Sequence, residues 1–247
     1  MNESLRGMLR KLRLSGMYES IDIRRQEAIS NQLDYLEFLE LCLQDELLVR
    51  DDRKRKRRVK GACFPQLKTV DQFDWSFNPS LNKKQLFDLS TCAFIRQNRD
   101  VLFIGPPGTG KTHLAISIGY QAIKQNYIVL YRSIFDLVRD FKREEALEES
   151  RLLSKYLRSD LLIIDDMGLK QLPKNSGEYL FEVIMRRNEL KSTLMTSNRP
   201  IEDWGNLIGD VPTAGAILDR FLQHSEIVQF KGRSYRLSRN LQREENA

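Results

Sequence analysis

Residues 105–112, with the sequence GPPGTGKT, have the types and the spacing of a loop that binds phosphate groups. Glycine lets a backbone turn tightly, so that successive N–H groups point inward at phosphate oxygens. The lysine of such a loop reaches the β- and γ-phosphates of a nucleotide, and the hydroxyl after it ligates Mg²⁺. We therefore expect ATP and Mg²⁺ as cofactors, with contacts from Gly105, Pro106, Pro107, Gly108, Thr109, Gly110, Lys111, Thr112 and His113.

Two carboxylates follow the apolar run at 161–164. If that run is a strand beside the strand of the loop, a carboxylate at its end suits the shell of a Mg²⁺ ion. We assign this role to Asp165, together with Thr112, and expect Asp166 to face the γ-phosphate and orient the attacking water. The alternative is a turn before Gly168 with two exposed carboxylates.

A second polar strand end, Thr196-Ser197-Asn198, follows residues 192–195. If its strand neighbours that of Asp165, Asn198 can hydrogen-bond the γ-phosphate or the water; ordinary turn chemistry before Pro200 is the alternative. Farther along, Arg220 lies in an amphipathic helical pattern. The pattern alone favours a solvated or ion-paired arginine there.

The pattern of apolar runs and helical stretches indicates the elements that position these residues. We expect helices at 82–97, 111–125, 134–158, 176–190 and 213–223. We expect strands at 101–104, 127–131, 161–165, 192–197 and 226–230. Short apolar strands that alternate with helices predict an α/β fold whose parallel sheet is covered on both faces.

The first 60 residues have a helical pattern. Asn31 is the predicted cap of a helix whose apolar stripe packs on neighbouring helices; the stripe comprises Tyr35, Phe38, Leu39, Cys42, Leu43 and Leu47. Residues 65–80 contain two prolines and read as a linker, with Phe73, Trp75 and Phe77 as anchors on the next domain. The predicted domains are a small all-α domain at 1–64, the linker at 65–80 and a nucleotide-binding domain at 81–247.

The net charge of +6 is concentrated in residues 50–60, RDDRKRKRRVK, which also sum to +6. Closely spaced cations indicate contact with nucleic-acid phosphates, although a solvated face is the usual interpretation of such a run. We predict backbone contacts to duplex DNA with little sequence readout. The candidates are Arg53, Lys54, Arg55, Lys56, Arg57, Arg58 and Lys60, with a second basic set at Lys231, Arg233, Arg236 and Arg239.

The chain has three cysteines, without the spacing of a zinc site, and no apolar run of the ~18 residues that a membrane span needs. The N-terminus lacks the apolar segment of a secretory signal. We expect a cytoplasmic protein with reduced thiols and no membrane partner. An isolated histidine such as His113 or His224 is more often structural than catalytic.

Taken together, the motifs resemble those of the AAA+ superfamily, and in particular the IstB-type transposition helpers related to the helicase loader DnaC. The resemblance covers nearly the whole chain. It rests on LRLSGM at 12–17, the loop with the residues that follow it to 119, LLIIDDMG at 161–168, TSNRP at 196–200, AILDRFLQHSEIV at 216–228 and KGRSYRLSR at 231–239.

The resemblance implies roles for individual residues. Lys111 and Thr112 match the Walker A positions, Asp165 and Asp166 the Walker B positions, and Asn198 the sensor-1 position. Arg220 matches the arginine finger that enters the ATP site of a neighbouring subunit, and Arg236 matches a second nucleotide-sensing arginine. Many members have Asp-Glu at Walker B, so the shorter Asp166 predicts slow hydrolysis. Only residues 221–247 follow Arg220, too few for a helical lid domain.

The resemblance also implies a function and partners. We expect an ATPase that forms a homo-oligomer on duplex DNA, with ATP sites between subunits, and presents target DNA to a cognate transposase. One alternative is a DnaC-like helicase loader that prefers single strands. Another is a nucleotide-switched adaptor that needs no DNA.

Overall fold

A computed structural model of the chain describes residues 2–142, 146–173 and 176–238. The chain forms two compact units, Met1–Arg57 and Arg58–Ala247, which we call the helical unit and the sheet unit. The division into domains at 1–64, 65–80 and 81–247 stays a prediction.

Three helices begin the chain: α1 (Glu3–Lys11), α2 (Ser15–Asn31) and α3 (Tyr35–Ala62). The predicted cap of α3 is wrong, because Asn31 is the last residue of α2. Asp34 caps α3 instead: its Oδ1 accepts hydrogen bonds from the N–H groups of Leu36 and Glu37, both at 2.8 Å. The Glu37 carboxylate accepts the Asp34 N–H at 2.8 Å, which completes a reciprocal capping box.

The apolar stripe of α3 packs only in part. Cys42 is fully buried with residues of α1 and α2, and Phe38 packs beside it. Tyr35, in contrast, is 94% exposed. Leu39, Leu43 and Leu47 are also exposed, so the expectation that the whole stripe packs is wrong. Helical periodicity indicates which residues share a face, and the number of neighbouring helices decides how much of that face is covered.

The block LRLSGM at 12–17 contains the residues that bring α2 against α3. A side chain at Gly16 would overlap the backbone of Asp45 and Glu46, so glycine permits this close approach. Glu46 is buried, and its Oε2 accepts the N–H groups of Gly16 and Met17 at 2.6 and 3.2 Å. Its Oε1 accepts from Arg50 at 2.6 Å. A carboxylate at a helix N-terminus satisfies otherwise unpaired N–H groups.

The sheet unit contains five parallel strands in the order β2-β3-β4-β1-β5. They are β1 (Asp100–Ile104), β2 (Val129–Ser133), β3 (Leu161–Met167), β4 (Ser192–Ser197) and β5 (Ser225–Gln229). The parallel sheet is confirmed, and β3 and β4 are neighbours. The expectation that the strand of Asp165 lies beside the strand of the loop is wrong, because β4 lies between β1 and β3. Chain order does not determine strand order.

Helices cover both faces of the sheet. The helices are α4 (Lys83–Ser90), α5 (Ala93–Arg96), α6 (Lys111–Lys124), α7 (Ile134–Lys142), α8 (Ala146–Arg158), α9 (Ser176–Arg187), α10 (Trp204–Ile208) and α11 (Val211–Gln223). One core contains residues of α4, α5 and α6, and the other contains residues of α7 to α11. Alternate residues of each strand enter opposite cores, as Leu102 and Phe103 do. Both faces are therefore buried, which explains the continuous apolar runs.

Several predicted boundaries differ from the structure. The expected helix at 82–97 is interrupted at Cys92, whose φ of 60° lies in the left-handed region. The strand expected at 127–131 begins two residues later, and α10 was missed. The described residues after α11 form β5 and a C-terminal segment at 230–238, and no helical lid domain stands among them.

The aromatic residues of 65–80 lie against the sheet unit, as predicted. The ring of Phe73 makes edge contacts with Trp75 and His113, at centroid distances of 4.8 and 5.3 Å. The Trp75 ring stacks on Phe87 of α4 at 5.4 Å. Phe77 makes an edge contact with the ring of Tyr235 at 5.0 Å. Residues 65–80, which we call the strap, therefore contact both the first turn of α6 and the C-terminal segment.

Candidate nucleotide-binding site

The phosphate loop, residues 105–112, joins β1 to the first turn of α6. Gly108 and Gly110 have φ angles of 78° and 100°, which side-chain-bearing residues rarely adopt. A side chain at Gly110 would also overlap the ring of Phe73. The hydroxyl of Thr109 donates to the Pro106 carbonyl at 2.8 Å and braces the turn. The helix after the loop adds the partial positive charge of its N-terminus.

The side chain of Lys111 is 5% exposed and folds back on the loop. Its Nζ donates hydrogen bonds to the carbonyl oxygens of Gly105 and Pro106, at 2.6 and 2.7 Å. Burial lowers the pKa of Lys111 to about 8, against the opposing effect of the Asp165 and Asp166 carboxylates. A buried ammonium group held by two neutral carbonyls is suited to exchange them for phosphate oxygens.

Asp165 is 1% exposed, and three hydroxyl groups converge on its carboxylate. Thr112 donates to Oδ1 at 3.1 Å, and Thr196 makes a short hydrogen bond to the same oxygen. Tyr131 donates to Oδ2 at 2.6 Å. These donors come from α6, β4 and β2, so three separate elements hold the carboxylate. The predicted pair of Thr112 and Asp165 is therefore brought together in the fold.

Asp166 follows Asp165 near the end of β3 and is half-buried. Its φ of 66° is left-handed, and its N–H donates to the Thr196 hydroxyl at 3.2 Å. Burial and the neighbouring charge of Asp165 raise the pKa of Asp166, while the charges of Arg236 and Lys111 oppose this shift. A positive φ on a residue other than glycine costs roughly 1 kcal/mol, so the surrounding structure must hold this conformation.

The C-terminal segment, residues 230–238, lies against the phosphate loop. The N–H of Tyr235 donates to the Gly108 carbonyl at 3.0 Å, and the side chain of Ser234 leaves no room for one on Gly108. Phe230 packs on Phe103 of β1 at a centroid distance of 5.1 Å. This placement brings the charge of Arg236 close enough to act on both Lys111 and Asp166.

Asn198 lies directly after β4, next to the end of β3. Its N–H donates to the Met167 carbonyl at 2.9 Å, and its side chain is half-buried. The following residue, Arg199, donates from Nε to the Gly168 carbonyl at 3.1 Å. The turn therefore ties the two strand ends together.

The side chains of His113 and Arg220, two residues predicted to act at an ATP site, make no hydrogen bond to the phosphate loop among the described residues. The side chain of His113 faces the strap: its Nε2 is 2.9 Å from the Thr69 carbonyl oxygen, and burial lowers its pKa. Arg220 is exposed on α11. Within the described ranges, no hydrogen bond or ion pair joins Arg220 to the phosphate loop or to Asp165. The structure therefore leaves its predicted role in a neighbouring subunit as a prediction.

The predicted DNA contacts divide into two sets on α3. Asp52 pairs with Arg55 and Lys56, at 2.6 and 2.7 Å. Arg58 donates to the Asn126 side chain at 3.0 Å. Three other candidates, Arg53, Lys54 and Arg57, share one face of the helix, which we call the open basic face. Arg53 also donates to the Ser15 hydroxyl at 2.5 Å. Lys60 is exposed near the end of the helix.

The residues of the loop fit a nucleotide with Mg²⁺. A threonine hydroxyl and a carboxylate are hard oxygen ligands of the kind that Mg²⁺ prefers.

The part of the chain that the structure describes contains no cluster of His, Cys, Asp or Glu for another metal site, and no helix able to cross a membrane. Sequence reasoning missed Tyr131 and Ser234, which are adjacent to the site only through the fold.

The fold and the site are those of a P-loop protein, with a parallel sheet whose strand β1 leads into the phosphate loop. A model of the family described as IstB-like ATP binding protein matches residues 7–243, and the chain belongs to this family. It is 38% identical over 248 residues to the ATP-binding protein of insertion sequence IS5376 from Geobacillus stearothermophilus, covering 99% of this chain and 98% of that protein. It is 36% identical to the IS21 counterpart from Pseudomonas aeruginosa, over 93% of this chain and 87% of that protein. The resemblance seen in the motifs is confirmed.

Solved structures show the same fold at low identity. The DnaC helicase loader matches with a TM-score of 0.50 and 22% identity, over 71% of this chain and 99% of that one. AMPPCP-bound DnaA from Aquifex aeolicus matches with a TM-score of 0.56 and 20% identity, over 74% of this chain and 57% of that one. These likenesses concern the fold alone.

Proposed function

We propose that this chain is an ATPase that assembles on duplex DNA and helps the transposase of an insertion sequence to capture its target. The observation that carries the ATPase proposal is the convergence of Lys111, Thr112 and Asp165 at the end of a parallel sheet. Membership of a family of insertion-sequence ATP-binding proteins supports the transposition context.

Nucleotide binding is assigned to the phosphate loop. The loop N–H groups and the N-terminus of α6 bind the phosphates, and Lys111 exchanges its two carbonyl partners for phosphate oxygens. Thr112 and Asp165 would hold Mg²⁺, which would neutralise negative charge on the phosphates. Arg236 adds positive charge from the C-terminal segment, on the side of Asp166 and Lys111.

Hydrolysis requires a water molecule and a further positive charge. Asp166 and Asn198 lie at neighbouring strand ends and are assigned to orient the water. Arg220 is assigned to the ATP site of the next subunit, where it stabilises the charge that develops in the transition state. Because a lone subunit then lacks this arginine, turnover depends on assembly, and the short side chain of Asp166 makes it slow.

DNA binding is assigned to the basic run on α3. The open basic face presents three cations at helical spacing to the phosphates of a duplex, while Arg55 and Lys56 are partly neutralised by Asp52. Contacts of this kind bind the backbone and carry no sequence information. Any target preference then arises from how readily a sequence deforms. A transposase is the proposed protein partner, and the cytoplasm the proposed location.

Co-precipitation in the presence of ATP, Mg²⁺ and duplex DNA tests the transposition proposal. The purified chain is mixed separately with the transposase encoded by its element and with a replicative helicase from the same host. We expect ATP-dependent recovery of the transposase. Recovery of the helicase alone, with a preference for single-stranded DNA, would instead establish a helicase loader. Recovery of a partner without any effect of DNA would establish a nucleotide-switched adaptor.

A further inference from the structure

We infer that Tyr131 is a positioning residue that orients the carboxylate of Asp165 toward the proposed Mg²⁺ site. The inference rests on the proposed function, and it adds a residue from outside the recognised nucleotide-binding motifs. Tyr131 lies on β2, which β3 and β4 separate from the strand that enters the phosphate loop. Its hydroxyl nevertheless makes a direct hydrogen bond to Asp165.

The register of the sheet explains this contact. Tyr131 pairs with Ile163, so Asp165 is its diagonal neighbour two residues farther along β3. Residues that alternate along parallel strands share a face, and a diagonal neighbour is within reach of a tyrosine side chain. The Tyr131 side chain is 7% exposed. Its ring makes an edge contact with Phe64 at a centroid distance of 6.2 Å, which restricts its orientation.

The hydrogen bonds of Asp165 give Tyr131 a role of its own. Thr112 and Thr196 both donate to Oδ1, while Tyr131 donates to Oδ2 at 2.6 Å. Hydrogen bonds to one oxygen alone restrain the plane of a carboxylate weakly. A donor on the second oxygen also restricts rotation about the Cβ–Cγ bond, so the plane is fixed. The fixed plane keeps Oδ1 and the Thr112 hydroxyl together, and these are the two proposed ligand groups.

Loss of the Tyr131 hydroxyl would leave Oδ2 of a buried carboxylate without this donor. An unpaired buried acceptor is costly, so the carboxylate is expected to turn toward another donor. Residues that orient metal ligands through such hydrogen bonds typically change metal affinity by about 10- to 100-fold when they are removed. The phosphate loop makes no hydrogen bond to Tyr131 among the described residues, so binding of the nucleotide alone is expected to persist.

Tyr131→Phe tests the inference because it removes only the hydroxyl group. Tyr156→Phe is the matched control: Tyr156 is also buried, and its hydroxyl donates to the Asp140 carboxylate at 2.9 Å. Asp140 lies on α7 and not at the phosphate loop. Both variants keep the ring and both lose a hydrogen bond to a carboxylate.

The measurement is binding of fluorescent methylanthraniloyl-ATP to the full chain, first without a divalent ion and then in a Mg²⁺ titration. Circular dichroism melting identifies a temperature at which all three proteins are folded. We expect Tyr131→Phe to raise the Mg²⁺ midpoint by about tenfold. Affinity without Mg²⁺ should change by less than about twofold, and Tyr156→Phe should match the wild type in both.

The outcomes separate this inference from the proposed function. A wild-type chain that binds the nucleotide, beside a Tyr131→Phe variant with an unchanged Mg²⁺ midpoint, overturns the inference alone. An equal rise in both variants also overturns it, because the effect would then be structural. Equal weakening with and without Mg²⁺ assigns Tyr131 to the loop and not to the carboxylate, and contradicts the inference as well. A wild-type chain that binds no nucleotide overturns both.

Discussion

The phosphate loop and the open basic face are built in contrasting ways. At the loop, polar groups from β2, β4 and α6 meet one buried carboxylate, and the strap and C-terminal segment pack against the glycines. The cations of α3, in contrast, belong to a single helix and most are exposed. The loop depends on tertiary structure for its geometry. The basic face depends only on helical spacing and charge density.

This difference predicts how each region tolerates change. Removal of one group from the loop leaves other buried polar groups without partners, so the loss is severe and not additive. Removal of one exposed cation lowers the number of phosphate contacts by one, so losses accumulate gradually. Single substitutions at the loop should therefore abolish a function, whereas those on α3 should only weaken one.

Lys111→Ala should have the largest effect on nucleotide binding. The Lys111 ammonium group is the predicted partner of the terminal phosphates, and a hydrogen bond of this type contributes about 3 kcal/mol, or roughly 100-fold in affinity. Isothermal titration with ATP and Mg²⁺ measures the loss. Lys124→Ala, which changes an exposed lysine at the end of the same helix, should bind normally. Normal ATP affinity in Lys111→Ala would refute the site.

Arg220→Ala should bind ATP normally but lose turnover by about 10³-fold, as expected for an arginine supplied between subunits. Steady-state phosphate release in the presence of duplex DNA measures the loss. Arg186→Ala is the control, because Arg186 is also exposed on a helix and pairs with Glu182 at 2.8 Å. Mixing Arg220→Ala with Lys111→Ala should restore part of the activity if the arginine acts across the interface. Undiminished turnover in Arg220→Ala alone would remove this role.

Substitutions on α3 should separate the two sets of cations. Lys54→Ala with Arg57→Ala removes two charges from the open basic face, and Arg55→Ala with Lys56→Ala removes two that pair with Asp52. The first pair should weaken duplex binding by about tenfold and reduce the salt slope by about two, from a wild-type value of about −4 to −5. The second pair should have a smaller effect. Fluorescence anisotropy over a salt series measures both, and equal losses would contradict the division.

The smallest predicted effect is on pH dependence. Because burial lowers the pKa of Lys111 to about 8, the protonated form that binds phosphate is depleted as pH rises. Affinity for ATP should be steady below pH 7 and fall about fourfold between pH 7 and pH 8.5. Affinity of the chain for duplex DNA should stay constant over this interval. ATP affinity that rises with pH would contradict the assignment.

The contrast also explains what the sequence allowed us to predict. The phosphate loop is contiguous, so its residues, strand and helix could be read directly. The strand order could not, and the predicted adjacency of the Asp165 strand to the loop strand was wrong. Tyr131 and Ser234 were missed because their distance along the chain gives no sign of contact. The prediction of Asn31 as the cap of α3 was wrong for a local reason. Asn31 and Asp34 are both favourable cap residues, and only Asp34 has a glutamate three residues later.

Particle mass measured by light scattering tests the central claim, ATP-dependent assembly on duplex DNA, most directly. Wild type and Lys111→Ala are compared with and without ATP, Mg²⁺ and duplex, at two salt concentrations. Large particles should form only with wild type, ATP and duplex together, and should decline at high salt. A wild type that stays monomeric, or that assembles equally well without DNA, would contradict the account.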